Sequence, residues 1–398
     1  MGRSLKVRVL LVALAPVLLS GCIAFGSIEK RAQSVNRGVA NTQNAALLLN
    51  LVRASRSEPL YFTATSAIHG SGAEDFNFSL PSFGIGPDAP RVAAFGNSAL
   101  DSNTSTSFDV DVLNSKDFYA GMLTPLGPED VNLLFSQGYP REMVLYLVVD
   151  RLEVTDLTGL APGQDDSHAP TAVYFNDPAN PSFPIFKSFV DQAMMHGLTT
   201  DEVSPPEAAP AAGGAPGPFT GGTLNVVVST ADKKDDTPKA RLCYDWALAT
   251  ETAKLDFTPE SPRCGAPPPP EAKAAPGGSS ILAVKIGDKR YEIVVHTRSI
   301  LGIFNYLGAQ IALNDAAAVR LHHYPELTAE VTADGQLLDV RRGGDDCFTQ
   351  VEDRGVKYCV PVQGAQNTKA IFSILNALLA LKTAPGDLPT AQTVRITP

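Results

Sequence analysis

The chain has 398 residues, of which 44% are hydrophobic, and its formal net charge is −10 at pH 7. This length is ample for one or two domains with a large buried core. The acidic balance argues against nucleic acid as a partner and against a general attraction to anionic lipid headgroups.

The first 22 residues have the pattern of a secretory signal. A positively charged start precedes an apolar run at residues 7–19, which is shorter than the roughly 20 residues that span a bilayer. The run ends in Leu19-Ser20-Gly21-Cys22, which resembles the lipobox of bacterial lipoproteins. The sequence therefore predicts a signal peptide at 1–21, a lipidated tether at 22–28 and a periplasmic domain at 29–398. The alternative is an ordinary secretory signal with an incidental cysteine.

The lipobox resemblance implies how the protein is held in place. In that class the cysteine, here Cys22, carries two or three acyl chains such as palmitate, whereas a single chain binds a membrane only marginally. Ile23 rather than aspartate follows Cys22, which by resemblance to the familiar sorting pattern favours the outer membrane. We therefore expect a lipid anchor in the outer membrane, with the rest of the chain facing the periplasm or the cell surface.

Four cysteines lie beyond the predicted anchor: Cys243, Cys264, Cys347 and Cys359. An even number in an oxidising compartment predicts two disulfides. Of the three pairings that four cysteines allow, we prefer the local ones, Cys243–Cys264 and Cys347–Cys359. The cysteines form no C-x-x-C pair and have no accompanying histidine array, so their spacing predicts no metal site.

Hydrophobic periodicity predicts an α+β fold with a mixed or largely antiparallel sheet, several packed helices and long Pro/Gly-rich loops. The predicted helices are 29–56, 117–123, one starting at Pro128, 184–196, 300–311 and 368–382. The predicted strands outside hairpins are 60–65, 76–80, 107–113, a buried one at 143–149 carried on through Val154, 224–228, 242–248, 327–331, 337–340 and 393–396.

Two hairpins and two loop insertions complete this prediction. The runs 281–286 and 291–295 meet across Gly287-Asp288, which is typical of a two-residue hairpin turn. A second hairpin is predicted between Cys347 and Cys359, and Ser299 is expected to cap the helix that follows the first one. The tracts 203–222 and 259–280 are rich in Pro, Ala and Gly, which predicts flexible insertions.

One longer stretch resembles a known group of proteins. The run Asn44-Ala45-Ala46-Leu47-Leu48-Leu49-Asn50-Leu51-Val52-Arg53, with Glu58-Pro59-Leu60-Tyr61-Phe62 after it, is similar to a run in uncharacterised proteobacterial envelope lipoproteins. That resemblance implies an envelope location and supplies no activity.

The motif search predicts neither a catalytic site nor a cofactor. The chain has no G-x-S-x-G, no H-E-x-x-H and no S-x-x-K with its companion motifs. The glycines at 84 and 86 lack the third glycine and the strand-to-helix setting of a dinucleotide site.

Several polar groups contain residue types that occur in functional sites, and for each group a structural role is favoured over a functional one. The groups are Asp109 with Asp111, Asp165 and Asp166 with His168, His322 with His323, Arg341-Arg342 beside Asp345-Asp346, and Tyr244 with Trp246. Asp109 and Asp111 share one face of a predicted strand, where paired carboxylates could serve as acid and base but more commonly face water.

Together these features predict a lipid-anchored, non-enzymatic accessory or scaffold in an envelope or export assembly, with a protein partner and no nucleic acid. One alternative is a periplasmic module that binds a small molecule or glycan. The other is a hydrolase with a dispersed site, for which Asp109, Asp111 and His168 are the first suspects.

Overall fold

A computed structural model describes residues 32–70, 83–84, 106–113, 115–159, 169–203, 239–250, 257–267, 278–313, 318–322, 335–382 and 393–396. The helices in these ranges are α1 (32–54), α2 (Lys116–Leu123), α3 (Pro128–Ser136), α4 (Arg141–Val148), α5 (Phe183–Met195), α6 (Ile300–Ala312) and α7 (Gln366–Lys382). The strands are β1 (Thr63–Gly70), β2 (Phe83–Gly84), β3 (Thr106–Val112), β4 (Val149–Asp156), β5 (Ala172–Phe175), β6 (Leu198–Val203), β7 (Lys239–Tyr244), β8 (Phe257–Ser261), β9 (Ser279–Ile286), β10 (Lys289–Thr297), β11 (Arg320–Leu321), β12 (Gly335–Gln336), β13 (Arg341–Arg342), β14 (Cys347–Asp353), β15 (Val356–Pro361) and β16 (Thr393–Ile396).

These elements form the predicted α+β fold, and they group into two compact units. Unit 1 comprises Met1–Gly121, Leu307–Ala312 and Asp339–Pro398, and unit 2 comprises Met122–Tyr306 and Leu313–Leu338. The strand pairs of every described sheet are antiparallel. Hairpin connections give antiparallel pairs, whereas βαβ units would give parallel ones.

Unit 1 contains a four-stranded sheet in the order β16-β3-β1-β2 and a three-stranded sheet in the order β13-β15-β14. The β14–β15 hairpin turns at Arg354 and Gly355, whose φ angles are 51° and 77°. Two successive positive φ values define the type I′ turn that suits the twist of a hairpin. The hairpin predicted between Cys347 and Cys359 is therefore confirmed.

Close packing in unit 1 is clearest where the end of α6 approaches α1. A Cβ atom added to Gly308 would lie 2.6 Å from the Ala54 Cβ and 2.6 Å from the Ser55 nitrogen. Only a residue without a side chain fits at this distance. The buried faces of the terminal helices supply most of the remaining core, with Leu48, Leu51 and Val52 on α1 and Ile371, Ile374, Leu375, Leu378 and Leu379 on α7 all 0% exposed.

Unit 2 is organised by a five-stranded sheet in the order β5-β4-β10-β9-β8. The β9–β10 hairpin pairs Ile286 with Lys289 across the predicted Gly287-Asp288 turn. Side chains alternate between the two faces along its strands. Leu282 and Val295 are buried, at 0% and 1% exposure, while their neighbours lie on the more solvent-exposed face. Helix α6 follows, and the Ser299 hydroxyl accepts a hydrogen bond from the Gly302 N–H at 3.1 Å, as predicted for a helix cap.

Arg298 is a buried cation that joins several parts of unit 2. Its guanidinium donates hydrogen bonds to four backbone carbonyl oxygens, those of Tyr146, Leu147, Val149 and Asn176. It also lies 4.0 Å from the ring centroid of Tyr306. The carbonyls at the end of α4 have no partner within the helix, and a cation there is favourable. Burial lowers the pKa of Arg298, but a guanidinium stays protonated in proteins.

The predicted buried strand at 143–149 is wrong over most of its length. Residues 141–148 form helix α4, and the strand begins only at Val149. Every side chain of this helix is buried, so its sequence shows a continuous apolar run instead of a helical stripe. Such a run does not distinguish a buried helix from a buried strand.

Smaller corrections concern element ends. The strand predicted at 60–65 begins at Thr63, and the one predicted at 242–248 ends at Tyr244, before a short 3₁₀ turn at Trp246–Leu248. Residues 337–340 form no strand. The predicted flexible insertion at 259–280 is partly ordered, because β8 and the turn containing Cys264 occupy its first half.

Several predictions fall partly or wholly outside the described residues. These are the signal peptide at 1–21, the tether at 22–28 with Cys22, the start of the helix at 29–56, the strands at 76–80, 224–228 and 327–331, the insertion at 203–222 beyond Val203 and residues 268–277 of the second insertion. Both preferred disulfides are present: Cys243–Cys264 and Cys347–Cys359 have Cα–Cα distances of 5.0 and 5.5 Å. Among the described residues, no helix has both the length and the apolar character needed to cross a membrane.

Candidate functional site

The structure describes only part of the hydrolase site that was suspected from sequence. Asp109 and Asp111 lie in β3 of unit 1, opposite Arg395 and Thr393 of β16. His168 lies outside the described residues, as do Asp165 and Asp166.

The other suspected groups have local structural contacts. Arg341 pairs with Asp339 at 2.7 Å. The Arg263 guanidinium lies 5.3 Å from the ring of Trp246, which is 50% exposed, and Tyr244 is buried. His323 lies outside the described residues, and His322 belongs to a cluster described below.

The first cluster that the fold assembles is a chain of polar contacts across three strands of unit 2. The Ser279 hydroxyl lies 3.1 Å from His296 Nδ1. On the other side of the ring, His296 Nε2 lies 3.1 Å from Glu153 Oε2. Arg151 Nε donates to Glu153 Oε1 at 3.1 Å. The order is therefore hydroxyl, imidazole, carboxylate and guanidinium.

Strand register explains why these side chains meet. His296 of β10 is opposite Ser279 of β9 and opposite Arg151 of β4. Glu153 is two residues beyond Arg151, so both point to the same face of the sheet. This is the face opposite the buried one, and it leaves the side chains of His296 and Glu153 16% and 26% exposed.

The electrostatics of this polar cluster favour an ionised Glu153. Burial disfavours the charged form of Glu153, but contacts with His296 and Arg151 outweigh that effect and lower its pKa. When the imidazole proton is on Nε2, facing the carboxylate, Nδ1 can accept the Ser279 hydroxyl proton. This arrangement has the components of an activated nucleophile: a hydroxyl, a base and a group that orients the base. His296 Nε2 has no hydrogen-bond partner among the described residues, so its 3.1 Å approach to Glu153 is a close polar contact without hydrogen-bond geometry.

The second cluster consists of Glu142, Asp191 and His322. His322 Nδ1 lies 3.2 Å from Asp191 Oδ1 and 3.4 Å from Glu142 Oε1. The Glu142 side chain is fully buried, whereas Asp191 and His322 are 29% and 43% exposed. The backbone N–H of His322 lies 3.0 and 3.1 Å from the two carboxylate oxygens of Glu142, which fixes the orientation of that carboxylate.

Helices α4 and α5 supply the acidic groups of this second cluster, and a tyrosine adjoins them. Tyr146 follows Glu142 by one helical turn, so the two side chains share a face of α4. Its hydroxyl is buried and has no hydrogen-bond partner within the described part of the chain. Burial, followed by the charges of Glu142 and Asp191, raises the pKa of Tyr146.

Sequence reasoning missed both clusters, except that it singled out His322. The members come from segments far apart in the chain, and no local motif connects them. Comparison with protein-family models, with curated proteins and with solved structures gave no match.

Proposed function

We propose that this chain is a lipid-anchored protein of the bacterial envelope, held in the outer membrane through acylated Cys22 and facing the periplasm. One observation carries the proposal. The chain has five cysteines, and four of them form the two disulfides. Cys22 is the cysteine that remains, at the end of the lipobox-like Leu19-Ser20-Gly21-Cys22. Disulfides form and persist in oxidising compartments such as the periplasm.

We further propose that the protein acts as a non-enzymatic accessory or scaffold in an envelope or export assembly, through a protein partner. Strand β5 supports this role, because it ends the five-stranded sheet among the described strands. Val173 and Phe175 on this strand are 37% and 39% exposed. A sheet edge with apolar side chains is a surface to which another chain can add a strand.

A pull-down from envelopes solubilised in mild detergent tests both parts of the proposal. Bound proteins are identified by mass spectrometry for the wild type, Cys22→Ser and Phe175→Ser, and incorporation of a palmitate analogue is measured in parallel. Thr258→Ser is the matched control, since Thr258 is an exposed residue on β8 at the opposite edge of the sheet.

We expect the wild type and Thr258→Ser to retain a defined membrane complex that Cys22→Ser and Phe175→Ser lose. We expect the palmitate analogue to label every form except Cys22→Ser. Label that persists on Cys22→Ser would refute the anchor. A wild-type protein recovered without any partner would refute the accessory role.

The Ser279–His296–Glu153 chain favours a second candidate function, acyl transfer or ester hydrolysis. In such a step the Ser279 oxygen bonds to the acyl carbon and its proton passes to His296. That proton then goes to the departing alcohol, and water releases the acyl group from Ser279. A fluorophosphonate probe should label the wild type but not Ser279→Ala. Ser280→Ala is the control, because Ser280 is the next residue and points to the opposite face. An unlabelled wild type would exclude this candidate.

A further inference from the structure

We propose that Glu142, Asp191 and His322 form a binding site for one divalent transition-metal ion of the zinc type. Each residue offers one ligand atom, and the three atoms all lie within 4.8 Å of one another. Zinc binds carboxylate oxygen and imidazole nitrogen at roughly 2.0–2.2 Å in a tetrahedral arrangement, which places ligand atoms about 3.3 Å apart. The distances from His322 Nδ1 to Asp191 Oδ1 and Glu142 Oε1, 3.2 and 3.4 Å, agree with that spacing.

The surroundings of Glu142 distinguish this cluster from a patch of surface carboxylates. Its side chain is fully buried, and a buried carboxylate is stable only when it is paired or coordinates a metal. The His322 backbone N–H contacts both of its oxygens. Hydrogen bonds of this kind orient the ligands in metal sites and are part of their design.

The Tyr146 hydroxyl is a second observation that points to a ligand beside Glu142. Tyr146 is 0% exposed, and its hydroxyl has no hydrogen-bond partner within the described ranges. It shares a face of α4 with Glu142, and the charges of both Glu142 and Asp191 act on it. Three protein ligands leave the fourth position of a zinc-type ion to water. Such a water could accept a hydrogen bond from this buried hydroxyl, which would otherwise carry the cost of its desolvation.

The donor set selects the class of metal. One imidazole nitrogen with two carboxylates suits zinc and its neighbours in the first transition series, whereas calcium takes six to eight oxygen ligands. The group Asp201, Cys243 and Cys264 is also close enough for a metal. Its two sulfurs form a disulfide and are not thiolate ligands, so it carries no such proposal.

Metal binding by tag-free, oxidised, full-length protein tests the site. The protein is treated with a chelator, dialysed and titrated with Co²⁺ and then Zn²⁺, with the visible absorption of bound Co²⁺ as the readout. Asp191→Asn and His322→Gln change partly exposed ligands and so should fold. Glu202→Gln is the control, because Glu202 is an exposed carboxylate of the same unit. Circular dichroism verifies the fold of each variant.

We expect one equivalent of Co²⁺ to bind to the wild type and to Glu202→Gln, and Zn²⁺ to displace it. We expect Asp191→Asn and His322→Gln to weaken binding by at least about tenfold, since even outer-shell changes cost 10–100-fold. Less than a tenth of an equivalent bound to the wild type would overturn the proposal. So would folded ligand variants that bind as the wild type does. Neither result depends on the anchor or on the partner.

Discussion

Arg298 provides the sharpest test of how unit 2 is held together. Replacing it with methionine keeps an unbranched apolar stem but removes the guanidinium donors from four backbone carbonyl oxygens. Two of these oxygens, those of Tyr146 and Val149, keep a hydrogen bond from the Asn176 side-chain amide. It also removes the cation that lies 4.0 Å from the Tyr306 ring. The carbonyls are within the protein, where water does not replace the lost donors.

The expected loss for Arg298→Met is about 3–5 kcal/mol. A buried acceptor left without its donor costs about 1–3 kcal/mol, the Leu147 and Asn176 carbonyls both lose the guanidinium donor, and the lost cation–π contact adds about 1 kcal/mol. The figure is well below the sum of four separate hydrogen bonds, because contributions within one network are not additive. It is a large part of the roughly 5–15 kcal/mol by which native proteins are stable.

Asp150→Asn is the matched control for this change. Asp150 Oδ1 lies 3.5 Å from Arg298 Nε, but its side chain is 40% exposed, and exposed ion pairs contribute about 0–1 kcal/mol. The chain has one tryptophan, Trp246, which belongs to unit 2, so its fluorescence in urea follows that unit. A loss below about 1 kcal/mol for Arg298→Met, or an equal loss for Asp150→Asn, would refute the argument.

Three further predictions concern charge, disulfide and packing. Because the pKa of Glu153 is lowered in the folded state, its stabilising effect is complete above the ordinary glutamate pKa and is lost as pH falls through the folded-state value. The urea midpoints of wild type and Glu153→Gln should therefore converge between pH 7 and pH 3, and divergence on acidification would contradict this. Replacing Cys347 and Cys359 together by alanine should cost about 3 kcal/mol, because the disulfide closes a loop with a sequence separation of 12; an unchanged melting temperature would be inconsistent with it. Gly308→Ala should cost about 1–3 kcal/mol through overpacking against Ala54, and a neutral effect in thermal unfolding would show that the two helices separate easily.

The β9–β10 hairpin shows how much of the first cluster could be predicted from the sequence. A two-residue turn at Gly287-Asp288 fixes Ile286 opposite Lys289, and counting outward along both strands places Ser279 opposite His296. The proximity of Ser279 and His296, two of the four residues in this polar cluster, could therefore be predicted from the hydrophobic pattern and the turn. The position of Glu153 could not, because its strand comes from a distant segment, and only long-range pairing determines which strand joins which edge.

Helix α4 shows where pattern reasoning fails. Periodicity identifies a helix by the contrast between its buried and exposed faces, and this helix has no exposed face. Eight residues is also a length that a strand can reach. The second cluster depends on where this helix and α5 lie, so the proximity of Glu142 to Asp191 could not be predicted from sequence.

Unit 1 is assembled from three separate stretches, and this has a consequence for biosynthesis. Its four-stranded sheet pairs β3 with β16, and β16 comes more than 250 residues after β3 in the sequence. Because a chain emerges from the ribosome in order, the residues of unit 2 up to Tyr306 are made before that sheet can form. A product that stops short of Thr393 would present the outer edge of β3 as an open template. Such a product is therefore open to strand addition by another chain, and the pairing of β3 is complete only once Thr393–Ile396 have been made.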